Sequence, residues 1–182
     1  QAAEKYALLV GINDYNSLAR TTNPYTQREN GRKTWVDLEG AVNDVRWMET
    51  ALVSDFDFKP EHVLVLTDAT ATRAEILKQF ESHLIHSLKP GDQVFFYFSG
   101  HGSQVVNTKS RELDQLDETL VPADSCLGAA DIRDKELSVL FNRILDRGGL
   151  LTAIIDACHS GSFHRGESTV TARRATRRAR SA

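Results

Sequence analysis

Cysteine is scarce in this 182-residue chain: there are two, Cys126 and Cys158. So few thiols build no disulfide framework, and they lack the paired C-x-x-C spacing of a structural zinc site. A reducing compartment, the cytoplasm, is therefore the expectation. Proline numbers four and glycine eleven, which excludes collagen-like and low-complexity chains. No apolar run approaches the ~20 residues that span a bilayer. The first residues enter a strand-like segment directly, without the charged and apolar regions of a signal peptide.

Positive charge is also missing from most of the chain. Residues 165–182 carry six arginines and one glutamate, while the whole chain has a net charge of −3, so residues 1–164 hold −8. Such a body offers phosphates no cationic face, so neither nucleic acid nor an anionic membrane is an expected partner. With 41% apolar and 26% charged residues, a single globular domain over 1–164 followed by a basic tail over 165–182 is the expected organisation.

Four short, continuously apolar runs stand out, at 6–12, 62–66, 94–98 and 150–155. Runs of that kind read as strands buried on both faces, as in a parallel sheet. Helical spacing separates them: Ala41, Val45, Met48 and Leu52; then Leu77, Phe80, Leu84 and Leu88 behind a capping box at Thr72 and Glu75; then Leu137, Leu140, Phe141, Ile144 and Leu145. Alternating strands and helices predict an α/β fold with a mostly parallel central sheet and helices on both faces. The polar stretch 16–37 reads as a surface insertion, and 102–133 as loops bearing an acidic cluster.

Ligands of parallel α/β sheets sit beyond the carboxyl ends of the strands. The third apolar run leads into Gly100-His101-Gly102, where glycine lets a substrate approach the backbone closely, and the fourth into Asp156-Ala157-Cys158-His159. A cysteine nucleophile needs a base, because a free thiol with a pKa of about 8.5 is mostly protonated at neutral pH. Adjacent parallel strands would bring His101 and Cys158 to one sheet edge. Taken singly, each has a plain structural reading, as a small buried hydrophobe or a solvated imidazole; as a pair they point to nucleophilic catalysis. A zinc site from His101, Cys158 and His159 lacks a fourth ligand, and neighbours 158 and 159 diverge in an extended chain.

FSGHG at 98–102 and DACHSG at 156–161, with YALLVGINDY at 6–15 and LEGAVNDV at 38–45, resemble the caspase-like peptidases, most closely metacaspases and their bacterial relatives. Caspases carry Q-A-C with the histidine about 50 residues upstream; this chain has D-A-C. The resemblance spans roughly 5–164 and implies a caspase-like three-layer sandwich. It makes Cys158 the nucleophile, His101 the general acid/base, and the backbone amides of Gly102 and Cys158 the oxyanion donors. Asp156 alternates onto the same side of its strand as Cys158, where a carboxylate selects cationic side chains; the resemblance likewise implies cleavage after Arg or Lys. Asp44 is a second acid for that pocket, with an ordinary helix-surface charge as its alternative.

The resemblance further implies a self-processing linker at Arg173, Arg174, Arg177, Arg178 and Arg180, with a small-subunit segment from the same precursor beyond it; the alternative is a solvated charged tail. No cofactor is needed for the chemistry, but calcium is an implied activator, with Asp117, Glu118, Asp131, Asp134 and Glu136 as its suppliers. Lys135 interrupts the acidic pair expected beside Asp134, and no D-x-D-x-D-G loop is present. Two other classes stay open: a silent interaction module, against which intact His101 and Cys158 argue, and an Asp-specific peptidase, against which Asp156 argues.

Overall fold

The computed structural model describes residues 3–22, 35–107, 115–159 and 171–172, with side chains left out at 20–22, 158–159 and 171–172. Four parallel strands form its middle: β1 (Lys5–Gly11), β2 (Val63–Thr67), β3 (Gln93–Val106) and a strand at Leu150–His159, in the spatial order β2, β1, β3, then the last. Between β3 and that last strand the chain adds β4 (Leu116–Leu120) and β5 (Ile132–Arg133), which makes Leu150–His159 β6; β7 (Thr171–Ala172) pairs with its outer edge. β4 runs antiparallel to the carboxyl half of β3, and β5 antiparallel to β4.

Helices cover both faces, as the pattern predicts. On one side α2 (Ala41–Asp55), which follows the short α1 (Ser17–Thr22), packs Val45 and Leu52 against Ala7, Leu9 and Tyr97. On the other, α3 (Arg73–Gln79) continues into a π-helical turn (Phe80–Ile85), and with α4 (Asp134–Asp146) it buries Ile76, Phe80, Leu84, Leu137, Leu140 and Ile144 against Leu8, Val10, Phe96 and Phe98. Burying one such side chain contributes roughly 1.5–3 kcal/mol, so a two-sided core of this extent is the main opponent of chain entropy. The Thr72 side chain caps α3 by accepting the Glu75 N–H at 3.2 Å, as its capping box predicts.

Three expectations need correction. The strands predicted at 94–98 and 150–155 extend to Val106 and His159, so the histidine and cysteine motifs lie inside strands instead of beyond them. β3 continues because β4 takes over the pairing past the end of β1, with Gly102 opposite both Leu120 and His159. The described residues of segment 102–133 are accordingly largely strand and 3₁₀ turn, with Asp117 and Glu118 on β4 and not on a loop. Within the polar stretch 16–37, read as a surface insertion, Trp35 and Val36 close over His101.

Candidate active site

Register along β3 and β6 assembles the site. Ser99 lies opposite Asp156, Gly100 opposite Ala157, His101 opposite Cys158, and Gly102 opposite His159. Neighbouring strands run about 4.8 Å apart, so the backbones of the histidine and the cysteine adjoin although a third of the chain separates them in sequence.

The His101 imidazole is tethered at one end and walled by two rings. Its Nε2 lies 2.7 Å from the Val36 carbonyl oxygen. A carbonyl only accepts, so in that bond Nε2 carries the proton and, in the neutral ring, Nδ1 keeps the lone pair. The Tyr15 ring centroid stands 4.7 Å from that of His101, and the Trp35 ring 5.1 Å. Tyr15 also accepts the His101 backbone N–H at 2.7 Å through its hydroxyl. Burial pushes the Tyr15 phenol well above its ordinary value, so it stays a neutral hydroxyl. Gly100 makes this approach feasible, because a Cβ there would meet the Tyr15 oxygen at 2.5 Å. At that glycine the close approach to the backbone is made by the Tyr15 hydroxyl.

Two carboxylates stand over the same stretch of β3. Asp44, in the first turn of α2, accepts from the Ser99 hydroxyl at 3.4 Å, and Asp156 is in register with Ser99. Tyr97, one step back on that face, is raised above its ordinary pKa by burial and then by the charges of Asp156 and Asp44. Asp44 thus faces Ser99 across the contact of α2 with β3, next to the register position of Asp156. Sequence reasoning missed Tyr15, Trp35, Val36 and Ser99 as members of the site; an isolated indole within a polar stretch was the one visible signal.

The acids set aside for calcium are committed elsewhere. Asp117 is 1% exposed and forms ion pairs with Lys135 and with Arg133 at 3.2 Å, while Asn107 donates to both its oxygens at 2.9 Å. Asp131 accepts from Thr119 at 3.2 Å and from Ser125 at 3.4 Å. Glu136 pairs with Arg73 and accepts the Arg133 N–H at 3.1 Å. Asp134 accepts the Lys135 N–H at 2.7 Å, and Glu118 points to the other face of β4 from Asp117. Among the described residues no three His, Cys, Asp or Glu side chains converge as a metal site. Calcium demands six to eight free oxygens; with Asp117 and Glu136 paired to cations and Asp131 held by two hydroxyls, this set does not fit it. Arg173, Arg174, Arg177, Arg178 and Arg180 lie outside the described residues, as does the side chain of Cys158.

The model of the metacaspase, peptidase C14 domain family matches residues 5–165. The chain belongs to the metacaspase family. It is 34% identical over 165 residues to Metacaspase-1A of Aspergillus niger, covering 87% of this chain and 36% of that protein. Against Metacaspase-1 of Schizosaccharomyces pombe it is 34% identical over 164 residues, covering 87% and 34%. The metacaspase domain described here thus spans about a third of these relatives. A crystal structure of a Geobacter sulfurreducens protein superposes on it with a TM-score of 0.62 at 26% identity, over 87% of this chain and 52% of that one. The α/β sandwich is caspase-like. No helix among the described residues is long and apolar enough to cross a membrane.

Proposed function

We propose that this chain is the catalytic segment of a cytoplasmic cysteine endopeptidase that cuts peptides and proteins after Arg or Lys. The observation that carries the reading is the shared row on β3 and β6, with His101 opposite Cys158 and Ser99 opposite Asp156, beside Asp44. His101 Nδ1 takes the Cys158 proton, the thiolate attacks the scissile carbonyl, and the protonated imidazole returns its proton to the leaving amine as the C–N bond breaks. Water then hydrolyses the thioester. The Gly102 and Cys158 amides serve as oxyanion donors. Asp156 and Asp44 hold the substrate's guanidinium or ammonium, an interaction that aspartate at that position of the substrate would turn into repulsion.

The basic tail, residues 165–182, is a processing linker whose five clustered arginines suit the same acidic pocket, and a small-subunit segment from the same precursor completes the enzyme. Calcium, the expected activator, would have to displace Lys135 and Arg133 to reach Asp117, so the proposed activity is independent of it. Paired Arg and Asp fluorogenic peptides, with calcium and with chelator, test the whole reading. Wild type is expected to cut only the Arg peptide, equally in both conditions, and Cys158→Ala to cut neither. Asp156→Asn is expected to lower kcat/KM for Arg by about 30-fold or more, as loss of one partner of a close charge pair does. Intramolecular cleavage that survives replacement of all five tail arginines by Ala would exclude the linker role.

A further inference from the structure

The Val36 carbonyl holds His101 Nε2, but the indole beside it has no part in the proposed mechanism. Segment 35–38 is bolted to the loop after β1. Asn16 Nδ2 donates to the Trp35 carbonyl at 2.9 Å, Asp37 accepts the Tyr15 N–H at 3.0 Å, and the Leu38 N–H reaches the Asn13 carbonyl at 2.8 Å. These bonds locate the Val36 oxygen. They fix only one atom of the imidazole, whose ring is otherwise free to swing about the line from Cβ to Nε2. A swing of that kind displaces Nδ1, the atom to which the peptidase reading assigns the Cys158 proton.

Two rings oppose the swing. Tyr15 meets the imidazole at an interplanar angle of 52°, and Trp35 at 30°, so the indole is the more nearly face-on of the two. Its own orientation is set by a further bond: Nε1 donates to the Ser125 hydroxyl at 3.2 Å. Ser125 is buried, and its hydroxyl in turn donates to the buried Asp131 at 3.4 Å. A hydroxyl that accepts from one side and donates to the other is held in one orientation. The chain of contacts Asp131, Ser125, Trp35, His101 thus runs from the wall of the β4–β5 region to the histidine.

We propose that Trp35 is a positioning residue for His101: its indole closes one face of the imidazole, and Ser125, anchored on Asp131, holds the indole there. The proposal rests on the peptidase reading for its catalytic meaning and on the ring contacts for its structural content. It also gives Asp131 a task in place of metal binding.

The test uses the full chain and two readouts, kinetics with the Arg peptide and NMR of the His101 ring protons, which an indole at this distance shields by its ring current. Trp35→Ala is expected to lower kcat by about tenfold with KM changed less than about twofold, the pattern of a displaced catalytic group, and to move the His101 ring resonances downfield. Trp35→Phe, which keeps an aromatic face, should recover part of both. Ser125→Ala should move the same resonances and Ser125→Thr should restore them. A merely structural indole would lower the melting temperature and leave the kcat-against-KM split and the restoration by Phe and Thr unseen. His101 resonances unmoved by Trp35→Ala overturn the positioning role. Resonances that move while the chain, supplied with its small-subunit segment, shows no peptidase activity keep the positioning of the ring and overturn the peptidase reading instead.

Discussion

Removing Lys135 is the sharpest perturbation of the acidic region. Asp117 is 1% exposed, and its ion pairs are with Lys135 and Arg133, whose side chains are 44% and 45% exposed. A fully buried carboxylate stripped of its only partner costs about 3–5 kcal/mol. Here Arg133 and Asn107 stay behind, and the half-exposed ammonium was partly screened by water, so Lys135→Ala should destabilise by about 1–2 kcal/mol. For a domain of this size that lowers the melting temperature by about 2–8 °C. Thermal melts of wild type and variant, each in calcium and in chelator, provide the assay. Wild type should melt at one temperature in both, because calcium would have to expel two bonded cations. Lys135→Asp exchanges a cation for a third carboxylate beside Asp117 and Asp134; it should melt below Lys135→Ala in chelator and gain stability with rising calcium, by about 2.7 kcal/mol at a hundred times the dissociation constant. A wild-type melting temperature that climbs with calcium, or a Lys135→Ala protein as stable as wild type, refutes the reasoning.

Gly100→Ala forces a Cβ to within 2.5 Å of the Tyr15 oxygen and 3.1 Å of the Phe98 ring; kcat should fall by about tenfold or more as His101 shifts, and unchanged kinetics would mean that Tyr15 does not set its place. Glu136 is pushed up by burial, but the Arg73 side chain and the Arg133 N–H outweigh this and hold it below its ordinary value. Its ion pair with Arg73 therefore adds stability above the unfolded carboxylate value of about 4.3 and loses it as pH falls through the lower folded value. Urea titrations from neutral to acid pH should show a shallower acid limb for Glu136→Gln than for wild type.

The parallel strands were legible because burial on both faces leaves no alternation to obscure them: Ala7 to Val10 are all wholly buried. Helix α2 was legible from Ala41, Val45 and Leu52, which are the residues it buries. β4 was not, and the reason is physical. In LDETL the alternation of Leu116, Glu118 and Leu120 against Asp117 and Thr119 suggests the acid faces water, yet Asp117 and Thr119 are buried. What admits the acid is a pair of cations from the start of α4 and the strand before it, supplied at long range where no local period reports them. The same holds for 35–37, whose polar flanks conceal that it supplies an indole and a carbonyl to His101.

The site's dimensions follow from two small residues more than from the sheet that carries it. At Gly11 a Cβ would come within 2.6 Å of both the Ala41 carbonyl oxygen and Val45 Cγ2, so only glycine lets the start of α2 settle onto β1 closely enough for Asp44, one residue before Val45, to reach Ser99. At Gly100 the absent Cβ admits the Tyr15 hydroxyl that accepts the His101 N–H. One glycine sets the distance of a carboxylate, the other that of an imidazole's support, and both lie on the adjoining strands β1 and β3. Enlarging either side chain displaces a polar group of the cleft while leaving the ladder pairing available. Gly11→Ala and Gly100→Ala should therefore separate by function: the first is expected to weaken the Arg peptide through KM, because Asp44 recedes from the cleft, and the second through kcat, because His101 does.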